Sequence, residues 1–161
     1  MAAFPEQVAV TLAEPGDAAA ILALQKLAFL DEAELYQDFA IAPLTQTLAE
    51  MERDMARLTV LKATVNGKIV GSVRGKVEGA VGCIGRLVVA PEFRRKGLGT
   101  RLMQEMERRL APRCELLEIF TGHRSLSNIR LYERLGYATA RTESVSPALS
   151  LVFMRKASPR L

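Results

Sequence analysis

The run Arg94-Arg95-Lys96-Gly97-Leu98-Gly99-Thr100 puts three cations and two glycines at the head of an apolar series, Leu98, Leu102, Met106 and Leu110, spaced close to one face of a helix. Gly97 and Gly99 leave no side chain over the first helical turn. Backbone N–H groups without partners there can point at an anion, and the helix dipole favours negative charge at that end. The chemistry is that of a phosphate cradle. Two better-known cradles fail on single residues. A nucleoside-triphosphatase loop needs Gly-Lys-Ser/Thr, whereas Lys96 precedes Gly97 and Leu98 follows it. A dinucleotide fingerprint needs glycine or alanine three residues after Gly99, where the chain has Leu102. What remains is Arg-x-x-Gly-x-Gly at Arg94, Gly97 and Gly99.

Other reactive side chains are sparse. Cys83 and Cys114 lack metal-ligand spacing and read as buried thiols, and no base partner is visible that would make Cys83 an acyl acceptor. His123, the single histidine, falls in a loop before a helix and reads as a surface group. No metal is expected. Asp31, Glu32, Glu34 and Asp38 make an acidic patch around Tyr36 and Phe39, a grouping that can solvate a loop or face a pocket.

A cradle of this kind has to be held between a strand that ends at it and a helix that leaves it. Val81 to Val89, closed by Pro91, supplies the strand. The helix runs on to Pro112, and Cys114 to Thr121 reads as the next strand, so strand, helix and strand imply a right-handed parallel crossover. Upstream, Leu58–Val65 and Ile69–Val77 flank Asn66-Gly67, a strong hairpin signal, and Glu78-Gly79 turns the chain into the cradle strand. Val8–Leu12 reads as a first strand and Asp17 as the N-cap of a helix striped by Ile21, Leu24, Leu27 and Ala28. A second helix, marked by Leu44, Leu48, Met51 and Met55, is expected from Pro43. Ser125–Leu135 is a helix closed by Gly136, and Tyr137–Thr142 and Leu149–Arg155 are two last strands. The fold class is α/β (α+β): a mixed, mainly antiparallel sheet of six or seven strands flanked by about four helices, one domain over 1–156 with a loose tail at 157–161.

The chain's 161 residues are enough for one well-buried core without metals or crosslinks. No apolar run approaches a membrane span, and the N-terminus lacks a signal-peptide layout, so a cytoplasmic protein without a membrane partner is expected. The net charge of +4 raises nucleic-acid binding. Its distribution argues against that: Arg94, Arg95, Lys96 and Arg101 gather at the cradle, while Glu105, Glu107, Arg108 and Arg109 mix signs along the helix. With no tryptophan and only three tyrosines, stacking platforms for single strands are also scarce.

The Arg-x-x-Gly-x-Gly run after a strand ending Val-Ala-Pro resembles the acyl-coenzyme A motif of the GNAT superfamily of N-acetyltransferases. The stretch Asn128-Ile129-Arg130-Leu131-Tyr132-Glu133-Arg134-Leu135-Gly136-Tyr137 resembles that family's second signature. The resemblance implies acetyl-CoA as co-substrate, with its pyrophosphate on the loop Arg94 to Thr100 and its pantetheine arm along Leu87, Val88 and Val89. It puts Tyr132 near the thioester sulfur as proton donor. Where the family often has an asparagine seven residues before that tyrosine this chain has Ser125, with Asn128 one turn later as the substitute.

The reaction implied is direct attack of a primary amine, of a small molecule or peptide, on the thioester. The alternative is an acyl-CoA-binding sensor or partner module without turnover. Many relatives carry a glutamate on the strand before the cradle; here Gly82-Cys83-Ile84-Gly85-Arg86-Leu87 has none, and Glu118 on the following strand is the candidate base. The resemblance also sets the segment between the first two helices beside the acceptor, so Glu34, Tyr36 and Asp38 are candidate contacts for a cationic amine. A homodimer is left open.

Overall fold

The computed structural model describes residues 7–159. Its strands are β1 (Val8–Leu12), β2 (Thr59–Val65), β3 (Lys68–Glu78), β4 (Val81–Val89), β5 (Leu116–Gly122), β6 (Ala138–Ser146) and β7 (Leu149–Ala157). They form one seven-stranded sheet in the order β1-β2-β3-β4-β5-β7-β6, in which β4–β5 is the parallel pair and every other neighbour is antiparallel. The helices are α1 (Ala18–Ala28), α2 (Leu30–Tyr36), α3 (Ala42–Thr45), α4 (Leu48–Arg57), α5 (Leu98–Leu110) and α6 (Leu126–Arg134).

α5 connects the parallel pair and buries Leu98, Leu102, Met103, Met106 and Leu110 against the sheet. Its close approach depends on two glycines of β3. A Cβ at Gly71 would lie 2.9 Å from Leu102 Cδ1, and one at Gly75 2.8 Å from Met106 Sδ. α1 and α4 cover the opposite face, where Ala18, Ile21, Leu22 and Met51 pack on Val60. Alternation along β2 therefore feeds both layers: Val60 faces α1 and α4, and Leu61 faces the main core.

One irregularity shapes the centre of the sheet. Ser72 pairs with Val88 but Arg74 pairs with Gly85, so β4 carries an extra residue, and Arg86 within it adopts φ 50. The β4–β5 ladder spans only Val81↔Leu116 to Ile84↔Ile119, although both strands continue. Beyond Ile84 the two strands part.

Three differences from the sequence reading have local causes. The segment after α1 folds as the short helix α2, ended by Gln37 at φ 51. The helix expected from Pro43 is two helices, because Gln46 is extended and Thr47 starts α4 with a capping box, accepting the Glu50 N–H at 3.2 Å. The tail starts later than 157: Ala157 closes β7, and Ser158 is buried with its N–H on Glu115 O at 2.9 Å. Residues 160 and 161 lie outside the described residues.

Candidate functional site

The parting of β4 and β5 opens a cavity of about 900 Å³, bounded by α2 and α3 on one side and by the starts of α5 and α6 on the other. The cradle forms its rim. Arg95 at φ 61 and Gly97 at φ 82 turn the loop so that successive N–H groups converge. Among the described residues, no backbone N–H from Arg95 to Thr100 finds an acceptor, and no side chain caps α5. Gly97, Leu98, Gly99, Thr100 and Arg95 all line the cavity. Six unpaired donors at the start of a thirteen-residue helix fit a phosphate group.

The cations divide their work. Arg94 is a strut: its guanidinium bonds Asp31, Ala28 O at 3.2 Å and Val89 O at 3.3 Å, tying the cradle to α1 and α2. Lys96 does not line the cavity; its ammonium lies 5.7 Å from the Phe93 ring centroid. Leu87, Val88 and Val89 run along the cavity on the part of β4 that has no strand neighbour toward β5.

The two tyrosines of the second signature have separate roles. Tyr137 donates to Glu107 Oε2 at 2.6 Å and is a core residue. Tyr132 is 3% exposed, yet its hydroxyl has no protein partner and opens on the cavity. Burial, and then the negative charge of Glu32, push the Tyr132 phenol above its ordinary range, so it stays protonated at neutral pH.

Glu32 is the carboxylate that sequence reading passed over. It lines the cavity from α2, accepting from Ser125 Oγ at 2.7 Å and from Asn128 Nδ2 at 3.4 Å. Because Ser125 gives its proton to Glu32, the 2.8 Å contact with Tyr36 must run from the Tyr36 hydroxyl to Ser125 Oγ, while that hydroxyl accepts the Arg124 N–H at 2.9 Å. Tyr36 is thus a buried strut beneath the acid. Asn128 also donates to Thr121 Oγ1 at 3.3 Å, fixing α6 to β5. The signal that could have found Glu32 is its spacing from Tyr36, four residues apart on one face of a helix.

The remaining candidates stand elsewhere. Glu118 does not line the cavity; its carboxylate is bonded by Arg155 at 2.5 Å and Arg141 at 3.4 Å, so it is a structural ion-pair centre and not a base facing the opening. Glu34 and Asp38 are exposed outside the cavity, and Asp38 caps the Ala40 N–H at 2.9 Å. Cys83 is half-buried beside Glu118 in the β4–β5 register. Burial, with Glu78 and Glu118, raises its thiol and disfavours the thiolate.

Comparison with known proteins agrees with this geometry. Residues 21–137 match the model of the acetyltransferase (GNAT) family, and the chain belongs to that family. A curated acetyltransferase of Yersinia pestis (strain Pestoides F) is 39% identical over 83 residues, which cover 51% of this chain and 59% of that protein. The fold matches that of the ribosomal-protein-S18-alanine N-acetyltransferase of Escherichia coli, with TM-score 0.78 at 18% identity over 96% of each chain. It also matches YncA of Salmonella typhimurium, solved with acetyl-CoA, with TM-score 0.74 at 21% identity over 97% of this chain and 96% of that one. Among the described residues no helix is long and apolar enough to cross a membrane.

Proposed function

We propose that the chain transfers the acetyl group of acetyl-CoA directly to a primary amine, with Glu32 taking the amine's proton and Tyr132 giving one to the departing thiolate. The observation that carries this reading is the pairing of a carboxylate and an unpartnered phenol on one opening, at the point where β4 and β5 part. The coenzyme is placed by the cradle's free N–H groups and by the unpaired side of β4 at Leu87 to Val89.

The amine must be neutral to attack. At pH 7 that costs about 1 kcal/mol for an α-amine of pKa near 8, and roughly 4 to 5 kcal/mol for a lysine-like amine. Glu32, directly or through one water, accepts the proton as the N–C bond forms and the C–S bond breaks. Tyr132 donates its proton to the sulfur. A protonated Glu32 no longer raises the phenol, so the first transfer makes the second easier. Cys83, outside the cavity and held as a thiol, does not provide an acyl-enzyme route.

Release of coenzyme A by the purified protein, followed across a panel of amines with product masses, tests the reading. Amine-dependent release and a product heavier by one acetyl group are expected. Binding of acetyl-CoA without release for any amine would contradict it and favour a binding module.

A further inference from the structure

We infer that Arg86 is an anion subsite for the acceptor, so that the amine acetylated is a small one carrying a carboxylate, an amino-acid-type zwitterion. The inference rests on the transferase reading and names its substrate class. Arg86 occupies the extra position of the β4 bulge, with a left-handed backbone that residues other than glycine seldom adopt. Bulges re-aim a side chain, and this one lines the cavity while reaching toward the α3–α4 junction.

The polar network at that junction is complete without it. Gln25 Nε2 donates to Gln46 Oε1 at 2.9 Å, Gln46 Nε2 donates to Asp54 Oδ2 at 2.5 Å, and Arg74 bonds the same oxygen at 2.7 Å. Arg86 adds one bond, from Nη1 to Gln46 Oε1 at 3.0 Å, at the second lone pair of an oxygen that already accepts from Gln25, and its other guanidinium N–H groups have no partner among the described residues. The group therefore holds two guanidiniums and one carboxylate. Arg74 takes the carboxylate, and Arg86 has no acidic partner among the described residues. A half-buried cation of this kind, facing a cavity, is matched by a ligand anion and best by a carboxylate, which accepts two of its N–H groups. Its surroundings agree, since burial and then Arg74 pull its pKa down to about 10 against the opposing pull of Asp54, and a ligand anion would relieve both.

The rest of the acceptor is framed by the walls. Glu32 receives the amine. Phe120, 52% exposed, and Leu149 and Leu151 offer apolar surface on the same cavity. A free amino acid with an apolar side chain meets all three. A peptide N-terminus presents an amide where the carboxylate would sit, and leaves Arg86 unmatched.

Paired acceptors test this: leucine and leucinamide, with kcat/KM measured by coenzyme A release for the native enzyme, R86Q and R86K. The native enzyme is expected to prefer leucine by at least about tenfold. R86Q should lower kcat/KM for leucine about tenfold or more and change that for leucinamide less than about threefold, while R86K keeps part of the preference. Calorimetric binding of N-acetylleucine to the coenzyme A complex, weakened in R86Q and retained in part in R86K, reads the same site without turnover. Equal use of acid and amide by the native enzyme overturns the inference and leaves the transferase standing. So does an equal loss for both acceptors in R86Q, which would mean that Arg86 acts on the thioester or the fold. Absence of turnover with every amine overturns the transferase reading, and N-acetylleucine binding that ignores Arg86 overturns the subsite.

Discussion

Gly122 offers the sharpest perturbation of the acceptor side. A Cβ built there overlaps the Tyr36 hydroxyl and ring, so Gly122→Ala cannot coexist with Tyr36 in place. Tyr36 is 6% exposed and joins Ser125 Oγ and the Arg124 N–H, so displacing it loses a buried aromatic and two hydrogen bonds. Truncating a buried aromatic costs about 3–5 kcal/mol, and each hydrogen bond about 1 kcal/mol. Partial re-seating of the ring, and the gain of about 0.5–1 kcal/mol from replacing a strand glycine by alanine, reduce that to about 2–4 kcal/mol net. For a domain of this size, about 2–4 °C per kcal/mol gives a fall in Tm of about 5–15 °C. The assay is calorimetric or denaturant unfolding of Gly122→Ala, Tyr36→Ala and the pair. In the Tyr36→Ala background, where the overlap is gone, the glycine change should be neutral to stabilising by about 1 kcal/mol, giving a large coupling energy. Additive effects, or a Gly122→Ala protein as stable as the parent, would refute the reasoning.

Gly99→Val should fold normally, because a Cβ there meets only ordinary contacts, 3.4 Å to Leu131 Cδ2 and 3.7 Å to Leu87 Cδ2, but it should weaken coenzyme A binding about tenfold or more by calorimetry. Unchanged affinity would remove the cradle. Tyr132→Phe should lower kcat about tenfold or more with little change in acetyl-CoA affinity, and an unchanged kcat would end the acid role. Arg86→Gln should raise stability at pH 7. The folded pKa of about 10 lies below the ordinary arginine value, so the penalty is complete at every pH below 10 and is relieved only above it. Taken whole the shift is worth about 3 kcal/mol, and solvent screening of a half-exposed group leaves about 1–2 kcal/mol, or about 2–8 °C in Tm at pH 7. A lower Tm would show that the cation is matched within the protein.

Legibility followed the physics of each signal. The start of α5 after Gly97, the hairpin at Asn66-Gly67 and the strand that ends at Val89 were readable because glycine spacing, turn chemistry and alternation are local. The closing Gly136 was readable for the same reason, and it stands at φ 99. The base was not. Glu118 is close to the cradle strand in the sheet, but β5 turns its carboxylate to Arg155 and Arg141, a choice made by the β5–β7 register and by Arg141 on β6. Glu32 looked like one acid among four until α2 fixed which of them face inward. Arg86 was invisible as a site because a bulge, set by how β3 and β4 pair, redirects its side chain, and nothing in Gly85-Arg86-Leu87 announces a left-handed arginine.

The pH–rate profile of Glu32→Gln, measured beside the native enzyme on one α-amine acceptor, tests the central claim most directly. At pH 7 the variant is expected to lose about 10²-fold or more in kcat, to keep its affinity for acetyl-CoA, and to recover activity as pH rises past the amine's own pKa of about 8, where the nucleophile is already neutral. A variant whose kcat and pH profile match the native enzyme would contradict the assignment of the base, and with it the proposed route of the proton.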